Sequence, residues 1–453
     1  MTTGFSNRVD YAARSHFCRR NICVYRTRDG NRRFQTGQTL TEPSAGALVV
    51  PVLSPALPSG ALFENDHFLP VGGIFRCGKP DGCIGYFYAS IAEFDAVVFA
   101  IDYVYNVRYK QTHQKLNYLY LSIDGLQSGM IGAYGNAWIQ TPTFDSLACQ
   151  SALFDRFYAS SMDLSDTFDE LWQCLPECHK ILLTDDAGVF LHEQATLFEE
   201  KHRLEAKQRK RPARDIEGTQ FYRNIATLAD LLQNRSEKPF LFWAHFQGFR
   251  GLWDFPMSHR ERYQIDEDPD PYPNVVLPDI IIDKNTDPDT RQAIAEAYSG
   301  GVALLDETLA GLLEFLEETG LDRNTVLLFM STRGFSLGEH HYIGANEDLY
   351  GENVHLPLMV RFPDGKFAGF RSQTLLQPGD VRKLLTMEEL PDEPDAVHPS
   401  VRVGDEVLVT PDWFVYRKPS GDELYVKPDD RWEVNNVADR CPHILEELIE
   451  SVV

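Results

Sequence analysis

Beyond Lys115 the sequence alternates between short apolar runs and longer helical patterns, and this alternation constrains the fold more than any other feature. Short apolar runs bounded by turn or polar residues predict buried strands. They lie at residues 119–123, 180–184, 239–245 and 325–330. Strands separated by helices favour a mainly parallel sheet that helices cover on both faces. The sequence therefore predicts an α/β domain, in which ligands bind at the carboxyl ends of the strands.

The clearest helical pattern extends from Asp287 to Thr319, where apolar residues recur at spacings of three and four. Asp287 suits the N-cap and Pro288 the first turn, and Gly320 suits the left-handed residue that ends a helix. Residues 401–415 instead alternate between apolar and polar side chains. This second pattern predicts antiparallel strands near the C terminus.

The distribution of charge divides the chain near Lys115. Residues 1–115 hold 13 Lys and Arg against 9 Asp and Glu, whereas the whole chain has a formal net charge of -24. We predict an N-terminal extension of unknown fold, β-rich or loosely ordered, with a strand over residues 94–105. A translation start assigned too far upstream is the alternative. An α/β domain over residues 116–390 follows, and then a small C-terminal antiparallel subdomain over 391–453 that ends in an amphipathic helix over 439–452.

Composition excludes several classes of protein. Hydrophobic residues at 43% and charged residues at 24% are typical of globular chains. No apolar run is long enough to cross a membrane, and the arginine-rich start differs from a secretory signal peptide. The negative charge argues against duplex binding, and eight scattered cysteines argue against a disulfide scaffold. These features predict a cytoplasmic protein with neither a nucleic-acid nor a membrane partner.

Asp124 directly follows the first predicted strand, where a carboxylate can bind a hard cation or cap a turn. From about Leu116 to the C terminus the sequence resembles the sulfatase family of the alkaline-phosphatase superfamily. The resemblance rests on short motifs in the family's order: 122–126 (SIDGL), 132–135 (GAYG), 141–148 (TPTFDSLA), 154–159 (FDRFYA), 243–245 (WAH), 337–340 (LGEH), 356–358 (LPL) and 435–438 (NNVA).

The resemblance implies a mainly parallel α/β sheet and a divalent cation held by several carboxylates. Such a cation stabilises the negative charge that develops in sulfate ester cleavage. Asp124 matches the first metal ligand of the family. Gly125, Thr332 and Arg333 stand at the other ligand positions, so the family's ligand set is reduced to one carboxylate. One carboxylate does not hold Mg²⁺ or Ca²⁺.

The family's nucleophile is a Cys or Ser that is oxidised to formylglycine within a Cys/Ser-x-Pro-x-Arg motif. Leu164 stands at this position, without the Pro or the Arg. Shifting the alignment by one residue would place Asp163 or Ser165 there. The position of the family's substrate-binding His is occupied by Arg250.

Two positions of the expected site thus carry arginine. A guanidinium binds tetrahedral anions in a bidentate manner and needs no metal. Arg250 and Arg333, together with His245, are therefore candidates for an anion-binding pocket. Alternatively, the two arginines are structural ion-pair partners in an inactive site. Because Arg333 is the nearest formal charge to Asp124 by family position, we expect an Asp124–Arg333 ion pair.

The favoured interpretation is a catalytically degenerate sulfatase-family protein without a cofactor. It would bind an anionic or sulfated small molecule, a carbohydrate or a partner protein. One alternative is an active sulfate or phosphate ester hydrolase that uses Ser165 or Asp163 and requires Ca²⁺ or Mg²⁺. The other alternative is a structural or assembly protein.

Overall fold

The structure is a computed structural model. The chain separates into two units, Met1–Gln114 and Lys115–Val453. The described residues are 71–76, 84–89, 116–173, 175–206, 209–387, 389–391, 393 and 397–450.

In the first unit, β1 (Val71–Arg76) and β2 (Ile84–Ala89) pair in antiparallel fashion. The strand predicted over residues 94–105 lies outside the described residues. The interpretation of residues 1–115 as an extension, and the other predicted domain boundaries, stay predictions.

A mixed eight-stranded sheet forms the centre of the second unit. One strand, β12 (His355–Arg361), is antiparallel to both of its neighbours, and all other neighbouring strands in this sheet are parallel. This confirms the predicted α/β class. In spatial order the strands are β13 (Phe370–Leu376), β4 (Ala152–Tyr158), β12 (His355–Arg361), β9 (Thr325–Ser331), β3 (Asn117–Ile123), β7 (Phe240–Phe246), β5 (His179–Thr184) and β6 (Glu200–Arg203).

Helices pack on both faces of this sheet. Alternate side chains of β3 belong to two separate cores. Leu119 and Leu121 pack with α1 (Pro142–Gln150), α4 (Gln220–Gln233) and α6 (Pro288–Glu318). Tyr120 packs with α2 (Leu164–Trp172) and α8 (Val381–Thr386). No helix among the described residues has the length and apolar character needed to span a membrane. The α-helices of this part of the chain are α1 (Pro142–Gln150), α2 (Leu164–Trp172), α3 (Ala187–Leu191), α4 (Gln220–Gln233), α5 (Met257–Arg260), α6 (Pro288–Glu318), α7 (Gly351–Val354), α8 (Val381–Thr386) and α9 (Pro442–Glu450).

The long helix α6 confirms the strongest local prediction from sequence. The Asp287 side chain caps it by accepting a hydrogen bond from the Asp289 amide, and Gly320 follows its C-cap with a φ of 70°. In its middle, Tyr298 Oη donates to the Gly125 carbonyl at 2.7 Å. The helix therefore fixes the loop that follows β3, which carries Asp124.

The C-terminal part forms the predicted antiparallel sheet. Its helix α9 is shorter than the predicted 439–452, because it begins at Pro442, a residue suited to a first helical turn. A second small antiparallel sheet pairs β8 (Asp279–Ile281), which precedes α6 in the chain, with two short strands that follow β9. The C-terminal sheet contains, in spatial order, β14 (Val401–Val403), β15 (Val407–Val409), β16 (Trp413–Tyr416) and β17 (Glu423–Val426). The second sheet contains, in spatial order, β10 (Ser336–Leu337), β11 (Tyr342–Gly344) and β8.

His340 links the loop between β10 and β11 to the C-terminal part of the chain. Its Nδ1 faces Glu352 Oε1 at 2.8 Å, and its Nε2 faces the Glu433 carbonyl oxygen at 3.1 Å. Burial opposes a charge here, but the hydrogen bond and charge of Glu352, together with Glu433, raise the pKa of His340 above its ordinary value. Because both nitrogens face acceptors, the doubly protonated imidazolium satisfies this junction best.

Replacing His340 by Gln removes this charge. A group whose pKa is raised by folding stabilises the protein fully below its unfolded pKa, and the contribution is lost as pH rises through the folded pKa. We expect His340→Gln to be less stable than the parent by about 1.5–3 kcal/mol near pH ~6, with a difference that shrinks towards pH ~9. Urea denaturation across this pH range measures the effect.

His355→Gln is the matched control. His355 Nε2 faces the Asp155 carbonyl oxygen at 2.6 Å, and burial lowers the pKa of His355 to about 4. Its ring is therefore neutral in the folded protein throughout the tested range, whereas in the unfolded chain it binds a proton as pH falls through its ordinary pKa. The loss on replacing His355 should therefore be smallest near pH ~6 and should grow as pH rises, which is opposite to the trend expected for His340→Gln. A loss for His340→Gln that does not change with pH, or that grows with pH as for His355→Gln, would contradict a charged His340.

Candidate functional site

The candidate site lies where three adjacent parallel strands, β7, β3 and β9, end at the same edge of the sheet. Asp124 follows β3, Arg250 lies just after β7, and Thr332 and Arg333 follow β9. The fold thus brings together the residues that the sequence placed at the family's metal and substrate positions.

Asp124 and Arg333 form the central contact of this site. Arg333 Nη2 donates to Asp124 Oδ2 at 2.5 Å, and Arg333 Nε donates to Oδ1 at 3.2 Å. Thr332 Oγ1 adds a third hydrogen bond to Oδ1 at 3.0 Å. Asp124 is 1% exposed, so the pair is a bidentate ion pair at the boundary of the interior. The ion pair expected from sequence is confirmed.

The electrostatics of this contact favour the charged form of both partners. Burial alone would raise the pKa of Asp124, but the charge and hydrogen bonds of Arg333, with the charge of Arg250, hold it below its ordinary value. Burial opposes the charge of Arg333 too, yet Asp124 raises the pKa of that guanidinium. Asp124 is therefore a carboxylate whose charge Arg333 compensates.

Arg250 packs directly over the residue after Asp124. Gly125 has a φ of 78°, and a Cβ there would lie 2.9 Å from the Arg250 backbone nitrogen and 3.0 Å from Arg250 Cγ. The Arg250 side chain continues past it, with Nε donating to the Gly334 carbonyl at 3.0 Å and Nη2 to the Asn346 carbonyl at 3.2 Å. The space that a ligating side chain at position 125 would need is therefore filled by Arg250.

Arg250 keeps its positive charge without a direct carboxylate partner. Within the described part of the chain, no carboxylate lies within ion-pair distance of its guanidinium. Burial lowers the pKa of Arg250 to about 10, although the nearby charge of Asp124 opposes this shift. The group is thus cationic at neutral pH, and its contacts to carbonyl oxygens hold it in position.

His245 lies next to this site but inside the core. Trp243 Nε1 donates to Ser122 Oγ at 2.9 Å, and Ser122 Oγ lies 3.0 Å from His245 Nδ1. Because the serine has one proton to donate, this chain of contacts favours an Nδ1 acceptor and a protonated Nε2. That Nε2 is buried without a hydrogen-bond partner, and burial lowers the pKa of His245 to about 4. His245 is a fully buried neutral side chain, and its role towards an anion stays a prediction.

The position of the family's nucleophile lies at the start of α2. Leu164 is the first residue of this helix, and Asp163 caps it, with Oδ1 accepting from the Ser165 amide at 2.8 Å. Arg333 Nη1 donates to the neighbouring Met162 carbonyl at 3.3 Å and so ties this segment to the site. Asp163 and Ser165 are both exposed. An activated nucleophile needs an adjacent base or a lowered pKa; here Asp163 acts as a helix cap.

The donor atoms of the site do not fit the divalent cation that the family implies. Both oxygens of Asp124 already accept hydrogen bonds, Gly125 has no ligand atom, and Arg333 brings a positive charge. Among the residues that the structure describes, no group of three or more His, Cys, Asp or Glu side chains is placed to hold a metal ion. Ca²⁺ and Mg²⁺ require more anionic oxygens than one carboxylate offers.

Sequence reasoning missed two carboxylates beside the site, Asp185 and Asp186. Asp185 accepts hydrogen bonds at 2.8 Å from the Gln247 amide and from Asn224 Nδ2, and burial raises its pKa to about 6. Asp186 accepts from Gln247 Nε2 at 3.3 Å. Both residues follow β5, so the same rule that singled out Asp124, polar residues at strand ends, could have found them.

Comparison with solved structures agrees with this architecture. The phosphonate monoester hydrolase of Agrobacterium radiobacter aligns with a TM-score of 0.59 and 15% identity, over 75% of this chain and 95% of that chain. A protein crystallised with its substrate D-glucosamine-2-N,6-O-disulfate aligns with a TM-score of 0.57 and 15% identity, over 75% and 98%. These likenesses establish a sulfatase and alkaline-phosphatase type of fold.

Sequence comparison finds similarity to sulfatases over part of the chain. The family model described as Sulfatase matches residues 208–380. Two curated enzymes of Bacteroides thetaiotaomicron also match: an endo-4-O-sulfatase, 30% identical over 111 residues (24% of this chain, 22% of that enzyme), and an N-acetylglucosamine-6-O-sulfatase, 35% identical over 78 residues (17% and 14%). These matches support a sulfatase-family assignment for the part of the chain that they cover. These alignments span less than a quarter of either curated relative.

The close approach of Arg250 to Gly125 is testable by substitution. In Gly125→Ala, the alanine would have a left-handed backbone and its Cβ would also press on Arg250. In Gly320→Ala, the alanine would have a left-handed backbone, with a φ of 70°, but its Cβ would lie in open space. We expect Gly320→Ala to lose about 1–2 kcal/mol and Gly125→Ala a further ~1–3 kcal/mol. Chemical denaturation compares the two, and equal losses would show that Arg250 does not press on Gly125.

Proposed function

We propose that this protein is a catalytically degenerate member of the sulfatase family that binds an anionic or sulfated ligand and does not hydrolyse it. The observation that carries the proposal is the bidentate Asp124–Arg333 ion pair, which occupies the one carboxylate remaining at the family's metal positions. The cytoplasmic location and the absence of nucleic-acid partners stay predictions.

Two features argue against ester cleavage. The side chain of Leu164, at the nucleophile position, has no atom that can attack sulfur or phosphorus. The negative charge that develops on the transferring group would need preorganised hydrogen-bond donors or a cation to stabilise it. Arg333 directs two of its N–H groups to Asp124 and a third to the Met162 carbonyl, so much of its donor capacity is already used.

Binding of an anion requires a cationic group but neither a nucleophile nor a metal ion. Arg250 is cationic, half-buried and without a direct carboxylate partner among the described residues, and its Nη1 donates no hydrogen bond to them. A guanidinium has five N–H donors, so Arg333 also keeps two beyond its contacts with Asp124 and Met162. One curated relative is named as an N-acetylglucosamine-6-O-sulfatase, and one structural neighbour is in complex with a disulfated glucosamine. Together these observations favour a sulfated carbohydrate as the ligand.

The absence of hydrolysis is tested directly with 4-nitrophenyl sulfate and 4-nitrophenyl phosphate. We expect no release of nitrophenol by the full-length protein, with or without added Ca²⁺, Mg²⁺ or Mn²⁺, because nucleophile and metal ligands are missing. Turnover that Asp124→Ala abolishes would contradict the proposal and support the active hydrolase with Asp163 or Ser165 instead.

Ligand binding is tested by calorimetry with glucosamine 6-sulfate and with unsulfated glucosamine. We expect the parent protein to bind the sulfated sugar measurably and the unsulfated sugar not at all. Arg250→Met removes the unpaired cation, so its affinity for the sulfated sugar should be at least tenfold weaker, about 1.4 kcal/mol. Arg371→Met is the control: Arg371 pairs with Asp155 on an exposed part of the sheet edge and should not affect binding. If neither sugar binds, or if both variants bind equally well, the structural alternative is favoured over an anion site at Arg250.

A further inference from the structure

The environment of Asp124 is built around a positive charge. Its side chain is 1% exposed, and a buried carboxylate without a partner is strongly unfavourable. Three hydrogen bonds reach its two oxygens: one from the Thr332 hydroxyl and two from the Arg333 guanidinium. A carboxylate in such a position requires a cation, and the chain supplies one from its own side chains.

The backbone of Arg333 is fixed for this role. Its carbonyl oxygen accepts a hydrogen bond from the Gly125 amide at 2.8 Å and another from Ser331 Oγ at 2.6 Å. The Gly125 carbonyl in turn accepts from Tyr298 Oη at 2.7 Å. The ends of β3 and β9 are therefore locked together, and the guanidinium is held against the carboxylate before any ligand arrives.

Arg250 supplies a second positive charge near Asp124 and packs against Gly125. Its backbone and Cγ lie against Gly125, which leaves no room for a second ligating side chain there. Its charge also acts on Asp124, although no hydrogen bond joins the two groups. Two guanidinium groups carry two positive charges, which equals the charge of one divalent cation.

We propose that Arg333, assisted by Arg250, replaces the family's divalent cation, so that the folded site is complete without metal. The replacement concerns the stability of the site and holds whether or not the pocket binds a sulfated ligand. Removing the Arg333 guanidinium should therefore destabilise the protein. Placing a carboxylate at position 333 should make the stability of the protein depend on divalent metal.

The first experiment measures thermal stability of the full-length protein and its variants. The melting temperature of the parent should not change with a chelator or with added Ca²⁺ or Mn²⁺. Arg333→Met should lower it by about 5–10 °C, because the substitution leaves the buried Asp124 carboxylate unpaired. The double variant Asp124→Asn with Arg333→Met should recover more than half of that loss.

The Asp155–Arg371 pair is a matched control. It has the same bidentate geometry, with contacts of 2.6 Å, but Arg371 is 51% exposed. Arg371→Met should therefore cost only a small part of the loss seen for Arg333→Met, and adding Asp155→Asn should recover little. Equal losses for the two arginines, or additive effects of Asp124→Asn and Arg333→Met, would overturn the proposal.

The second experiment uses Arg333→Asp, which places two carboxylates at the site. We expect its melting temperature to rise with Ca²⁺ or Mn²⁺ and to fall again on chelation, in contrast to the parent. If this variant does not fold, the melting temperatures of Arg333→Met and of the double variant Asp124→Asn with Arg333→Met test the proposal. A parent protein that loses stability on chelation would overturn the proposal, whereas failure to bind glucosamine 6-sulfate would affect only the proposed function.

Discussion

The buried contact between Asp124 and Arg333 is the interaction on which the account of this site depends. A carboxylate at the end of a central strand cannot stay charged in the interior without compensation. In this chain the compensation is a bidentate guanidinium that also reaches the start of α2 through the Met162 carbonyl. One ion pair thus joins the ends of β3 and β9 to the segment where a catalytic nucleophile would be expected.

The fold and the chemistry of the site depend on different residues. The sheet, its two cores and α6 are specified by apolar patterning and by caps such as Asp287. Changing Gly125, Leu164 or Arg333 does not alter that patterning. A sulfatase-type fold can therefore persist while the catalytic residues change, since fold alone does not determine activity.

Sequence reasoning predicted the parts of the structure that local chemistry controls. The helix ending at Gly320 followed from spacing and caps, and the Asp124–Arg333 pair followed from the positions that the family resemblance assigned. Patterning did not predict that β12 is antiparallel, because a buried strand reads the same in either direction. Nor could sequence predict the packing of Arg250 over Gly125, since that contact depends on where two strand ends meet in space.

The central claim is that the protein supplies its own cation at Asp124. The most direct measurement is the divalent metal content of the purified full-length protein after dialysis against metal-free buffer without chelator, determined by mass spectrometry of the elements. We predict far less than one equivalent of Ca, Mg, Mn or Zn for each chain. One tightly held equivalent that Asp124→Asn removes would contradict it.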